Sequence, residues 1–345
     1  MSADPETPTS LLIVRLGAVG DVVRTLPLVK AIRRRHPSMT IGWVVEELSA
    51  GLLEGLDFID RIHVLRRRSL AASLRRPWRW PDALSTWLEL RTELRKARYE
   101  LILDVHGTFK ASRVARLARG GDTRLVGLGP GGSKETAHWV YDEVVPYPAE
   151  PVLTRIQRAF LLGRAAGLLP DDEEIAVEHG LRFAPERVQR AHEFLEPLGR
   201  PRVLLFPFAS ATKKGLRKRW PLARWVELAR SLSDELTVVL AWGSPREGEE
   251  ARAALGEPGR VQLTPRTDLL ELTEVLRGVD LVVTGDTGPM HLAAGVDTRV
   301  LALFGPSDPV INRPWGDAHE VIVHEPLGEL EVERVRRSVL AKLSD

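Results

Sequence analysis

Apolar residues along this chain come in short unbroken runs separated by stretches of helical period, and several runs stop at glycine, aspartate or histidine. The clearest case is residues 280–309, DLVVTGDTGPMHLAAGVDTRVLALFGPSDP. Leu281-Val282-Val283 has the pattern of a parallel strand buried on both faces. It stops at Thr284-Gly285-Asp286-Thr287-Gly288. Pro289 then suits the first turn of a helix, where its missing N–H is not needed. Gly295 ends that helix, and residues 300–304 read as the next strand. This unit aims the unpaired amides of residues 288–291 at one spot beyond the strand end. Amides and helix dipole both favour an anion there, first of all a phosphate. An isolated glycine turn is usually only a turn. Here acid, hydroxyl, glycine and imidazole share one strand end, which is where open α/β sheets bind ligands.

The first half repeats the pattern. Residues 11–14 form a strand, residues 22–35 a helix with apolar positions 22, 23, 26, 29 and 32, and residues 41–45 a second strand. Gly17 and Gly20 do not complete G-x-G-x-x-G, so a nicotinamide fingerprint is missing. Asp21 sits at the helix start, where it is equally a helix N-cap or a general base held over a cleft. Residues 99–105 read as a strand ending near Asp104. His106 and Lys110 follow in the loop, which places all three at a substrate position, although Asp104 also suits a cap or a pair with a neighbouring base. A helix is expected over 87–97, a mobile glycine-rich loop over 127–134, a helix over 152–167 and an acidic linker over 171–178.

A new strand begins near residue 201. The loop after it, PFASATKKGLRKRW, carries Lys213, Lys214, Arg217, Lys218 and Arg219. That is ordinary loop solubility, or a lysine facing the 286–291 helix start to hold a diphosphate. Glu247, in the turn after a strand at 236–242, is either a first-turn helix acid or a ribose contact. A helix at 268–276, a strand at 320–323 and an amphipathic helix at 330–343 complete the chain, the last expected to pack back on the first domain.

Composition narrows the function. The 345 residues are 43% hydrophobic with a net charge of +2 and no cysteine. Length suggests two domains. Disulfide frameworks and thiolate metal sites are excluded. No run approaches the roughly 18 apolar residues of a membrane span, and the polar start lacks a signal-peptide pattern, so a cytoplasmic protein is expected, with a peripheral position at a membrane face compatible. Residues 61–81 hold seven arginines, two tryptophans and no acid. Such a cluster is a solvated face or a surface for an anionic partner; the balanced overall charge argues against nucleic acid.

The motifs in order, LLIVRLGAVGDVVRTLP at 11–27, WVVEE at 43–47, LDVHGTFKASRVARLARG at 103–120, KRWP at 218–221, WGSPREGEEA at 242–251, TGDTGPMHLAAG at 284–295 and FGPSDP at 304–309, resemble the glycosyltransferase family 9 heptosyltransferases over nearly the whole chain. The resemblance implies a GT-B fold: an α/β chain with two Rossmann-like domains facing across a cleft. The acceptor-binding domain would span 1–170, a linker region 171–200, the nucleotide-sugar domain 201–328, and a returning helix 329–345. It implies a monomeric, metal-free, inverting transfer of heptose from ADP-L-glycero-D-manno-heptose to a Kdo sugar of the lipid A precursor at the inner membrane surface, with no cofactor. By position, Asp21 matches the base and Lys218 the donor-phosphate lysine. Thr287, Gly288 and His291 match the diphosphate site, Asp286 the acid near the donor heptose, and Glu247 the ribose contact. Thr212 aligns with a phosphate-binding hydroxyl, and Arg66, Arg67 and Arg68 with a basic loop that meets acidic Kdo groups. His106 stands where a glutamine is usual, and the 209–217 loop is longer. A second-heptose or O-chain transferase of the same family is the nearest alternative. A non-catalytic nucleotide-binding module and an NAD-dependent oxidoreductase are the others.

Overall fold

The computed structural model describes residues 7–67, 80–172, 174–209, 219–256 and 259–344. The chain divides into two compact units, Met1–Gly180 and Leu181–Asp345, each built on one six-stranded sheet in which all neighbours run parallel.

The first unit runs β1 (Ser10–Val14), α1 (Val19–Val23), α2 (Leu26–Arg35), β2 (Thr40–Glu46), α3 (Glu47–Ala50), β3 (Arg61–Leu65), α4 (Trp80–Ala97), β4 (Leu101–Asp104), α5 (Phe109–Ala118), β5 (Arg124–Leu128), β6 (Glu143–Val145) and α6 (Arg155–Ala165). Its strand order is β3-β2-β1-β4-β5-β6. The chain therefore moves outward from β1 to β3, then crosses back to lay β4 on the other side of β1. The loops after β1 and β4 leave the carboxyl edge in opposite directions, and a crevice opens between them. Strand β1 is fully buried, which explains its unbroken apolar run. Helix α4 starts at Trp80 rather than near Trp87, with Pro81 and Asp82 in its first turn. It packs beside α5 in one layer. The glycine-rich loop expected to be mobile is tied down: Ser133 N–H donates to Gly129 O at 2.9 Å and Lys134 N–H to Gly107 O at 2.7 Å. Gly107 permits this approach with φ +65° and the Ser133 Cα 3.4 Å from where a Cβ would stand.

The second unit runs α7 (Pro185–Leu195), β7 (Arg202–Phe206), α8 (Leu222–Leu232), β8 (Thr237–Leu240), α9 (Pro245–Leu255), β9 (Gln262–Leu263), α10 (Leu269–Arg277), β10 (Leu281–Gly285), α11 (Gly288–Gly295), β11 (Arg299–Phe304), α12 (Pro309–Asn312), β12 (Glu320–Val323) and α13 (Val332–Ser344). The order β12-β11-β10-β7-β8-β9 puts its switch point between β7 and β10. Helix α7 lies in the stretch read as a linker, yet it packs on α10 and holds the buried Glu271 through Arg190 at 2.5 Å. Helix α13, expected to return to the first domain, buries Val332, Val335 and Val339 in the second unit's core and packs on α8 and β10. Its apolar positions recur at i, i+3 and i+7, one stripe that a single groove of that core accommodates.

Candidate functional site

The crevice of the first unit is built around Asp21. The residue is not the cap of its helix: Ala18 occupies the N-cap position, and Asp21 stands inside the first turn of α1. Its carboxylate faces three guanidinium groups. Arg15, just past β1 and buried, pairs with Asp21 Oδ2 and donates to Val105 O at 2.8 Å. Arg24, at i+3, reaches Oδ1 at 2.5 Å. Arg155, the first residue of α6, lies 4.0 Å from the same oxygen. Burial lowers the pKa of Arg15, with the Asp21 carboxylate opposing it. Burial likewise brings Arg24 down to about 10, again against Asp21. Among the described residues, the buried donors Arg15 Nε, Arg24 Nη1 and Arg155 Nε meet no hydrogen-bond acceptor. The crevice walls include Asp21, His106, Arg155 and Arg158. Unpaired guanidinium N–H groups in a crevice are satisfied by a carboxylate, phosphate or hydroxyl-rich ligand.

His106 joins this crevice from the loop after β4. Its Nδ1 accepts the Leu16 N–H at 3.2 Å, which leaves the proton of the neutral ring on Nε2. Burial, and then the Arg15 charge, push its pKa down to about 3, so the ring is a neutral donor at physiological pH. Asp104 lies beneath it, fully buried. Oδ1 accepts the His106 and Gly107 N–H groups, both at 3.0 Å, and Oδ2 accepts the Tyr141 hydroxyl at 2.9 Å. The carboxylate thus fixes the loop that carries His106.

Desolvation raises the Asp104 pKa from 3.8 to about 6, against the bonds it accepts. The raised value means that burial penalises the anion. Asp104 is protonated and free of that penalty below the ordinary carboxylate range. The penalty grows as pH rises from there and is complete above about 6. Asp104→Asn carries no such charge. Its stability relative to the parent should therefore improve by roughly 2–3 kcal/mol between about pH 4 and 7, because each tenfold change in a proton equilibrium is worth about 1.4 kcal/mol. Urea denaturation at the two pH values checks this; a relative stability independent of pH refutes it.

Lys110 and Arg67, expected as acceptor contacts, meet on one carboxylate. Lys110 Nζ pairs with Glu46 Oε1, and Arg67 Nη1 lies 3.1 Å from Oε2. Glu46 ends β2, so this carboxylate gathers residues that follow β3 and β4. Arg66 is exposed just past β3. Arg68 lies outside the described residues.

In the second unit, Asp286, Thr287, Gly288 and His291, expected near the donor heptose and diphosphate, follow β10 at the β7/β10 switch point. Thr287 is the N-cap of α11, but its hydroxyl does not cap the helix. It shares a hydrogen bond of 3.1 Å with Thr284 Oγ1, so its side chain leaves the first-turn amides uncovered. Asp286 and Gly288 flank it, and His291 is buried one turn on. A pocket beside this turn is lined by Phe208, Ala209, Trp220, Gly285 and Thr287. Glu247 accepts the Gly243 N–H at 3.0 Å and lies 3.7 Å from Arg219, and Arg219 sits 6.0 Å from the Phe208 ring centroid. Glu247 is thus fixed at the carboxyl end of β8. Thr212 and Lys218 lie outside the described residues. Among the described residues no cluster of three His, Asp or Glu side chains is arranged to hold a metal, and no helix is long and apolar enough to cross a membrane.

Arg15, Arg24, Arg155, Glu46 and Tyr141 were not singled out from the sequence. Arg15 and Arg24 flank Asp21 within one motif, a signal that was available. Arg155 and Tyr141 are remote in sequence, and only folding brings them in.

Known proteins share this fold and much of the sequence. The profile of glycosyltransferase family 9 (heptosyltransferase) matches residues 87–339. Lipopolysaccharide heptosyltransferase 1 of Pseudomonas aeruginosa is 30% identical over 312 residues, covering 89% of this chain and 81% of the relative. The protein of that name from Escherichia coli is 28% identical, covering 97% and 99%. Among solved structures, the E. coli heptosyltransferase WaaC with ADP superposes with a TM-score of 0.79 at 23% identity, covering 96% of this chain and 99% of that one. E. coli ADP-heptose lps heptosyltransferase II gives 0.74 at 22%, covering 97% and 98%.

Proposed function

The chain belongs to glycosyltransferase family 9 (heptosyltransferase), and from that premise we propose that it transfers heptose from ADP-L-glycero-D-manno-heptose to a Kdo sugar of the lipid A inner core. By sequence, relatives named lipopolysaccharide heptosyltransferase 1 from Pseudomonas aeruginosa and Escherichia coli match most of the chain, whereas heptosyltransferases 2 of Haemophilus influenzae and Salmonella typhimurium match about a third of it. That difference favours the first heptose over the second. The observation that carries the chemistry is Asp21 in a crevice with three unpaired guanidinium donors. A sugar acid needs both a base for its hydroxyl and cations for its carboxylate.

In this reading Asp21 takes the proton of the acceptor hydroxyl as that oxygen attacks the anomeric carbon of the donor. The C–O bond to ADP breaks from the opposite face in one displacement, which inverts the anomeric centre. His106 donates from Nε2 to the acceptor, and Arg66, Arg67 and Arg68 with Lys110 meet its negative groups. ADP leaves toward Lys218, the Thr212 hydroxyl and the open amides that start at Gly288, donors already in place before charge develops. Asp286 and His291 border the transferred sugar and the diphosphate, and Glu247 takes the ribose hydroxyls. The reaction runs without a metal, in a monomeric cytoplasmic protein peripheral to the inner membrane.

ADP release measured with and without Kdo-lipid A tests the reading; release independent of that acceptor rejects it. Lys218→Ala should weaken ADP about tenfold, since a charged hydrogen bond contributes roughly 1.5–3 kcal/mol. Calorimetry showing an unaltered ADP affinity removes Lys218 from the site. Turnover should survive EDTA, and a loss restored by magnesium overturns the metal-free step.

A further inference from the structure

We propose that the outer surface of the α4–α5 layer docks on a bilayer containing anionic phospholipid; the proposal rests on the reading that the acceptor is anchored in a membrane. Large apolar side chains are exposed where a solvated helix layer would carry polar ones. Trp80, Leu84 and Leu88 on α4 are 58%, 61% and 47% exposed, and Phe109 on α5 is 45% exposed. The three α4 positions are four residues apart and form one row, which Arg91 and Arg95 continue. The acids of the helix, Asp82, Glu89 and Glu93, fall off this row by the helical spacing, and Glu93 is engaged by His63 at 2.5 Å. Arg95 Nε donates to Leu117 O on α5 at 3.4 Å, so the row faces the seam between the two helices. Across that seam α5 contains no acid. The guanidinium of Arg113 stands 5.7 Å from the Phe109 ring centroid.

Topology sets the direction of this surface. Strands β3, β4 and β5 are parallel, so α4 and α5 both run back from the carboxyl edge of the sheet. Their first turns, with Trp80, Leu84 and Phe109, lie at the edge that bears Asp21 and His106. The arginines stand farther back. Tryptophan, phenylalanine and leucine at headgroup depth, with arginines reaching lipid phosphates, match an anionic interface in both polarity and charge. The bilayer would thus meet the first unit on the side that receives the acceptor.

Flotation with vesicles of phosphatidylethanolamine and phosphatidylglycerol tests the assignment. The wild-type protein should float with these vesicles, less so as salt rises, and not with phosphatidylcholine alone. The double change Leu84→Asp, Leu88→Asp should lower partitioning about tenfold or more, since it replaces inserted apolar side chains by anions. The pair Arg91→Glu, Arg95→Glu, which leaves the apolar row intact, should lower it too and abolish its salt dependence. Both variants should keep wild-type turnover on a Kdo acceptor stripped of its acyl chains, a measurement that fails by itself if the transferase reading is wrong. The docking surface is refuted if the wild type does not float or if both variants float like it. It is also refuted if sedimentation velocity shows the row holding two copies together, with the leucine variant dissociating them.

Discussion

Asp21→Asn is expected to lower kcat about a thousandfold or more, within the range that a positioned general base contributes. Asparagine has nearly the same shape and can still accept one hydrogen bond from Arg15 or Arg24, but it cannot take the acceptor's proton. Donor binding belongs to other residues, so the ADP affinity should change little. The fall should appear in kcat and in kcat/KM alike, the signature of an interaction made in the transition state. The substitution also turns one amide N–H toward a guanidinium, so thermal unfolding must be measured beside it. A variant that turns over within a few-fold of wild type at normal stability would reduce Asp21 to a partner that keeps its arginines apart.

Arg15→Met is expected to affect both stability and turnover. Methionine replaces the buried stem, so the apolar packing is largely kept. What is lost is the charged head, which pairs with Asp21 and ties the loop after β4 through Val105 O. Removing one partner of a buried pair costs roughly 3–5 kcal/mol. The lower end applies, because Arg24 and Arg155 remain beside the carboxylate. Turnover should fall about tenfold or more as Asp21 loses its fixed orientation, an effect of the size that a misplacement of a reacting group brings. Calorimetric ADP affinity should hold, and a stability within about 1 kcal/mol of wild type would show that the pair is not structural.

The two halves of the site were unequally legible. The β10–α11 turn could be read from local order: an apolar run, glycines, a hydroxyl, a proline at the start of a helix. Each of those signals acts within a few residues, and the helix found there, Gly288–Gly295, begins where they place it. Asp21 was legible as a residue of interest but not as a partner of arginines. Arg24, at i+3 in the same motif, is a partner that helical spacing offers, whereas Arg155 reaches the carboxylate only through the fold. Asp104 read as a substrate contact because it ends a strand. In the folded chain Tyr141 comes from 37 residues away to close its last oxygen, and the carboxylate holds a loop.

The helices follow the same division. Stretch 171–200 looked like a connection because its start is acidic and carries proline. Helix α7 becomes visible only against α10, where its Val188, Ala191 and Leu195 find apolar neighbours. The last helix showed its stripe plainly, but a stripe states that a face is to be buried, not against which surface.

By itself, then, the sequence determined two parallel α/β sheets, their glycine-marked strand ends and the acid and hydroxyl side chains that stand there, because apolar period and turn chemistry are local properties of the chain. Only the tertiary structure decided which guanidiniums surround Asp21, which carboxylate is sealed under His106 and where the last helix lies. Those outcomes depend on strand order and on packing between residues far apart in sequence, and the crossover from β3 to β4 that brings β4 beside β1 is written in no single segment.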